Sequence, residues 1–351
     1  MDSTSFIYNY SGGRERLSAK NLTHIPEPLH HGGSPSNGIW IYQWGSSQFT
    51  LLSFHGFRIV HILAVDHPDL SRCSSMRSCF EGVTEIDADI SAWDVSSVKD
   101  MSRMFWGSLF NGDISNWNVR NVTDMSRMFY GSHFKGDIAA WCVRNVTDMS
   151  GMFDWSLFNG DISTWDVFNV KDMSRMFAWG WFNGDISGWR VDNVTDMSNM
   201  FAETRFNGDI SSWNVTNVSN MSGMFQKSPF NGDIASWNVA NVTEMTCMFA
   251  YSQFRGDISA WRVDNVTNMY RMFLGSHFNG DISSWNVANV TDMTDMFWGS
   301  QFNGDISSWN VANVANMSYM FYCSHFNGDI SDVYKRQDRH CDQKDVQYFF
   351  E

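Results

Sequence analysis

Phe110-Asn-Gly-Asp-Ile-Ser-Asn-Trp-Asn-Val-Arg-Asn-Val-Thr-Asp-Met-Ser-Arg-Met-Phe129 is the stretch that decides the fold, because the chain keeps rewriting it. Its Trp117 returns as Trp141, Trp165, Trp189, Trp213, Trp237, Trp261, Trp285 and Trp309, with Trp93 ahead of it, always at a step of 24 residues. An unbroken period of this length marks stacked coils, each too small to bury its own apolar face and each completed by its neighbours. The repeat thus specifies a scaffold before it specifies any chemistry.

Two spacings alternate within a unit. Met125, Met128 and Phe129 stand at i, i+3 and i+4, which predicts a short helix. Thr123 suits its N-cap, Asp124 its first turn and Gly131 the residue just past its end. Asp113 to Val119 lacks that spacing and is expected as a short strand, reached through a turn at Asn111-Gly112. The expected fold is an α/β solenoid of about ten coils, each a strand, a turn and a helix, with a parallel sheet on one side.

Outside the array the text changes. Residues 1–36, with Gly12-Gly13 and His30-His31-Gly32-Gly33, are expected as a flexible arm. Residues 37–75 are expected to cap the first coil, with two or three short strands between Ile39 and Val65. The repeats run over 76–331, beginning in degraded form at Met76-Arg-Ser-Cys-Phe80. Asp332-Val-Tyr-Lys-Arg-Gln337 replaces the next half-unit and resembles a sequencing-adapter translation, so 332–351 are expected to be a non-native tail.

Composition narrows the function classes. The net charge is −14 and no long basic run occurs, which argues against a nucleic-acid partner, whose binding rests on neutralising phosphates. The most apolar stretch, Thr50 to Val65, is interrupted by His55, Arg58 and His61, and is too short and too charged to cross a bilayer. The N-terminus shows neither a basic nor an apolar region of the signal-peptide kind. Cys142, Cys247 and Cys323 lie three or more coils apart, too far for a disulfide, which leaves Cys73 and Cys79 as the pair able to bond.

Two polar ladders accompany the core. Asp113, Asp137, Asp161 and Asp185 belong to a column of stacked carboxylates that must be compensated, either by a row of Ca²⁺ ions or by backbone N–H groups of the turn. Lys135 and Arg255, each standing where a metal site would need Asn, favour the N–H groups, so no metal is expected. Asn121, Asn145, Asn193 and Asn241 belong to a second column. Most of its members form Asn-x-Ser/Thr sequons, but Asn169 and Asn313 keep the register without one, which favours a buried amide ladder between coils.

The recurring Asp-Ile-Ser-x-Trp and Met-x-x-Met-Phe motifs closely resemble the BspA-like leucine-rich-repeat surface proteins over about residues 76–331. The unit here is one residue shorter than the 25 common in that family. The resemblance implies a solenoid of leucine-rich-repeat type, cell-surface or secreted placement, and a role in adhesion or partner binding. It brings no catalytic residue and no cofactor, and no acid/base cluster interrupts the repeat, so no enzyme is expected.

What varies from coil to coil is the segment after each Met-Phe. Trp106, Tyr130, Trp155, Trp179, Trp181, Tyr251, Trp298 and Tyr322 fall there, and a second variable row carries Arg103, Arg127, Arg175 and Arg271. Exposed aromatics are enriched at recognition surfaces. They are the candidate binding residues for a protein or glycan, with Trp155, Trp179 and Trp181 at the centre. The competing expectation is that they pad the sheet edge of a purely structural spacer.

Overall fold

The computed structural model describes residues 4–10, 13–19, 23–25 and 37–328, so the expected tail at 332–351 lies outside the described residues. The chain divides into two compact units, the first comprising Met1–Val170 with Gly180–Phe182 and the second Lys171–Trp179 with Asn183–Glu351.

The first unit opens with a five-stranded sheet of order β2-β1-β3-β4-β5, formed by β1 (Thr4–Tyr10), β2 (Gly13–Ala19), β3 (Gly38–Gln43), β4 (Ile59–Ile62) and β5 (Glu85–Ala88). β1 pairs antiparallel with both β2 and β3, whereas β3, β4 and β5 run parallel, Val60 facing Ile39 on one side and Ile86 on the other. Two strands, β3 and β4, thus lie in the stretch read as a cap. β1 and β2 fall in the stretch expected as a flexible arm and give it a sheet pairing instead. Ile39, Ile41 and Val60 are fully buried, and Trp44 packs edge-on against Trp93 at 5.8 Å, joining this region to the coils. Cys73 and Cys79, the pair able to bond, are both buried free thiols.

In the coils the expected helix and strand are both replaced. No helix occurs among the described residues, and the segment Met101 to Ser108 is a run of tight turns. Met104, Trp106 and Ser108 donate their N–H groups to the carbonyls of Met101, Arg103 and Phe105. The alternate N–H groups, of Met101, Arg103, Phe105 and Gly107, donate to Asp124, Ser126, Met128 and Tyr130 of the following coil at 2.7–2.9 Å. An α-helix would direct its interior N–H groups to its own carbonyls and leave none for the neighbour. The arrangement requires two left-handed residues per coil, Arg103 (φ 56°) and Gly107 (φ 63°), and the same two positions recur at Arg127 and Gly131. The i, i+3, i+4 pattern read as helical therefore reports burial only: Met125, Met128 and Phe129 are all inside.

The expected strand from Asp113 to Val119 is likewise a turn, closed by Trp117 N–H on Ile114 C=O at 3.2 Å. Instead of a continuous sheet, each coil contributes an isolated parallel bridge, Ser75–Asp100–Asp124–Asp148 in the first unit and Asp172–Asp196–Asn220–Glu244–Asn268–Asp292–Asn316 in the second. Thr123, read as an N-cap, donates its N–H and hydroxyl to Lys99 C=O in the preceding coil.

The core is ordered by ring stacking. Phe105, Phe129 and Phe153 form one column with centroids 5.5 and 5.6 Å apart, and Phe110, Phe134 and Phe158 a second at 6.3 Å. These separations lie in the favoured range for offset stacking. The second unit continues the pattern from Phe177 to Phe321. The tryptophans are buried too. Trp117 Nε1 donates to Ile90 C=O at 3.0 Å and Trp237 Nε1 to Ile210 C=O at 3.2 Å, each reaching into the preceding coil.

Candidate functional site

The two left-handed positions define two surface rows, and the sequence varies along both. In the first unit the earlier row holds Arg103, Arg127 and Gly151, and the later row Gly107, Gly131 and Trp155. In the second unit the earlier row includes Arg175, Asn199, Gly223, Arg271 and Tyr319, and the later row Trp179, Glu203, Lys227, Tyr251, Gly275 and Gly299. For an L-residue the left-handed conformation costs about 1–2 kcal/mol, and glycine escapes the cost. Neighbours along a row interact directly. Lys227 Nζ meets Glu203 at 2.8 Å and Arg271 Nε meets Asp295 at 2.9 Å, each pair one coil apart. Tyr251 lies over Gly275, where an added Cβ would stand 2.6 Å from its ring.

The predicted binding residues distribute over these rows. Trp155, Trp179 and Tyr251 occupy left-handed positions of the later row, with φ of 57°, 51° and 56°. Trp106, Tyr130, Trp298 and Tyr322 stand one residue earlier, and Trp181 one residue after Gly180. Trp155 is 55% exposed, Trp181 50%, Tyr251 46% and Tyr322 38%, whereas Trp106, Tyr130, Trp179 and Trp298 are half-buried. Trp106 meets Tyr130 edge-on at 5.6 Å, and Trp298 stacks on Tyr322 at 6.4 Å. Guanidinium groups cover two of the rings, Arg103 on Trp106 at 4.9 Å and Arg175 on Trp179 at 4.7 Å. Of the three residues expected at the centre, Trp155 and Trp181 belong to the first unit and Trp179 to the second.

Sequence reasoning missed Tyr319, 52% exposed at a left-handed position of the earlier row and edge-on to Tyr322 at 5.9 Å. Its signal was its register, shared with Arg103 and Arg271. Tyr270, under the Arg271 guanidinium at 4.7 Å, was missed as well, since it replaces an otherwise small residue.

The polar ladders are accounted for by backbone. Asp113 accepts the N–H of Ser115, Asp137 that of Ala139, Asp161 that of Ser163 and Asp185 that of Ser187, each at 2.9 Å. The N–H and then the hydroxyl of Ser115 hold the Asp113 carboxyl below its ordinary range, and Ser187 does the same for Asp185. Among the described residues no group of His, Cys, Asp or Glu side chains is placed to hold a metal ion. Asn121 Nδ2 donates to Ser96 C=O at 2.7 Å, Asn145 to Arg120 and Asn241 to Thr216. Asn193 holds the same register. Asn121, Asn145 and Asn241 are exposed and Asn193 half-buried, so the ladder expected to be buried is an external one. A third ladder escaped the sequence: Asn111 Oδ1 accepts Lys135 N–H at 2.7 Å, and Asn231 Oδ1 accepts Arg255 N–H at 2.7 Å. Only a backbone N–H is needed from the later residue, which is why Lys and Arg are tolerated there.

Turns, stacked phenylalanines and inter-coil N–H bonds define a tandem-repeat protein whose coils contain no helix among the described residues, with variable residues along its surface rows. The chain belongs to the family described as Mycoplasma protein of unknown function, DUF285, whose profile matches residues 52–157, 154–255 and 250–346 in tandem. No curated protein and no solved structure matches the chain. No helix among the described residues is long and apolar enough to cross a membrane.

Proposed function

We propose that this protein is a non-enzymatic binding scaffold, of the BspA-like leucine-rich-repeat kind at a cell surface or secreted, which engages a protein or glycan through its left-handed rows. The observation that carries the reading is the placement of Trp155, Trp179 and Tyr251. Equivalent positions in other coils hold Gly107, Gly131, Gly275 and Gly299, so an unstrained residue fits there, yet these coils carry bulky aromatics at positive φ. Strained residues of this kind concentrate where a surface has a task. The alternative, a structural spacer without a ligand, draws on the half-buried Trp106–Tyr130 pair, which packs as padding would.

Replacing Trp155 and Tyr251 by Gly separates the two readings. Relief of about 1–2 kcal/mol of strain per site should roughly offset the backbone entropy of glycine, about 0.5–1 kcal/mol, and the lost contacts. A binding role predicts an almost unchanged melting temperature and loss of retention on a glycan array or a panel of purified surface proteins. A clear fall in melting temperature with retention unchanged would favour the spacer.

A further inference from the structure

We propose that the first unit also carries a site for an organic anion, a carboxylate or phosphate monoester with an apolar body, in the cleft where the cap meets the first coils. The cleft measures about 430 Å³, within the range of small-molecule sites. Ile25 and Leu51 give it an apolar wall, and Arg77, Arg103, His24 and His55 stand around it against a single carboxylate, Glu81. In a chain of net charge −14 this is a local excess of cations.

Three observations support the assignment. First, Arg77 is a departure from the repeat: the matching residue of the next coil is Ser102, which is buried, whereas Arg77 is exposed. Second, neither Arg77 nor Arg103 has a carboxylate at ion-pair distance among the described residues. The nearby Asp100 already accepts Ser75 Oγ at 3.1 Å and both the N–H and hydroxyl of Ser102. Third, Arg103 stands at φ 56° with its guanidinium carbon 4.9 Å from the centroid of the Trp106 ring. A cation–π contact holds the guanidinium in place without supplying an oxygen acceptor, so its N–H donors suit a planar or tetrahedral anion. The apolar wall adds affinity for a ligand body that free phosphate or acetate lacks.

The test is a calorimetric and NMR titration of the full chain with benzoate, phenyl phosphate and neutral benzamide. Saturable binding of at least one anion is expected, with the stronger of the two identifying the headgroup, and none of benzamide. Arg77→Ser and Arg103→Gly should each weaken binding about tenfold, the loss of one charged hydrogen bond. Glycine already occupies the Arg103 register at Gly151 and Gly223, so the second variant keeps the fold. Glu81→Gln should tighten binding, and Trp155→Gly should leave it unchanged, which separates this site from the aromatic rows. Absence of saturable binding, equal binding of benzamide, or insensitivity to both arginine variants would overturn the proposal.

Discussion

Trp237 is buried against the Phe225 ring at 6.3 Å and stacks on Trp261 at 6.5 Å, while its indole N–H donates to Ile210 C=O in the preceding coil. The tryptophan column therefore joins coils by packing and by hydrogen bonding together. Trp237→Phe removes that donor and leaves the Ile210 carbonyl with the Trp213 N–H alone, a loss of about 0.5–1.5 kcal/mol. Trp44, equally buried, has an Nε1 with no hydrogen-bond partner among the described residues. Trp44→Phe removes a polar atom that is already unsatisfied, so its cost should be smaller, limited to the volume lost. Chemical denaturation of the two variants beside the parent checks the order; equal losses would mean that ring volume, and not the hydrogen bond, sets the requirement for tryptophan.

At the scale of the element, each turn between coils is closed by an aspartate whose charge has a folding consequence. For Asp113, Asp185, Asp209, Asp257, Asp281 and Asp305 the N–H of the serine two residues on, and then its hydroxyl, lower the pKa below its ordinary value. A carboxylate with a depressed folded-state pKa stabilises fully above the unfolded value, and the contribution is lost as pH falls through the folded one. The melting temperature should thus hold steady near neutrality and decline below about pH 4. Asp209→Asn with Asp257→Asn retains an acceptor oxygen and should make the acid decline shallower; an unaltered slope would show that other groups govern it. How far such turns were legible is instructive. The burial of Met125, Met128 and Phe129 followed from their spacing, but that spacing is shared by a helix and by successive β-turns closed by i+3 to i hydrogen bonds. The distinguishing cue was present in Gly107, Gly131, Gly275 and Gly299 and, four residues earlier in the coil, Gly151 and Gly223, which mark two left-handed positions per repeat. Arg, Trp and Tyr at the same positions disguised it. The bonds of Asn111 and Trp117 were illegible for another reason, since their partners lie one coil away and are set by the stacking register. The candidate aromatics were legible as variable residues, whereas their strain and the Arg77 cleft required backbone geometry and the contact of cap with coil.

At the scale of the molecule, the bonds that matter repeat at a fixed interval, so each coil in the second unit depends on its immediate neighbours. Phe225 stacks on Phe201 at 5.9 Å and on Phe249 at 5.7 Å, and Met221 N–H reaches Glu244 C=O at 3.0 Å. Stability in such an array is close to a sum of coil and neighbour terms. Excising residues 209–232 joins Gly208 to Asp233 and brings Phe206 into register with Phe254, restoring each class of contact with one coil fewer. The shortened protein should fold cooperatively and melt only slightly below the parent. Excising half that length, 209–220, removes less chain but opposes the methionine turn of one coil to the tryptophan turn of the next, so the N–H ladder, the phenylalanine columns and the indole bonds fail together. Circular dichroism melts with sedimentation of both deletions give the measurement. If the half-coil deletion matched the full-coil deletion in stability, the register-dependent contacts would not be what holds the array, and the fold would rest on non-specific apolar collapse instead.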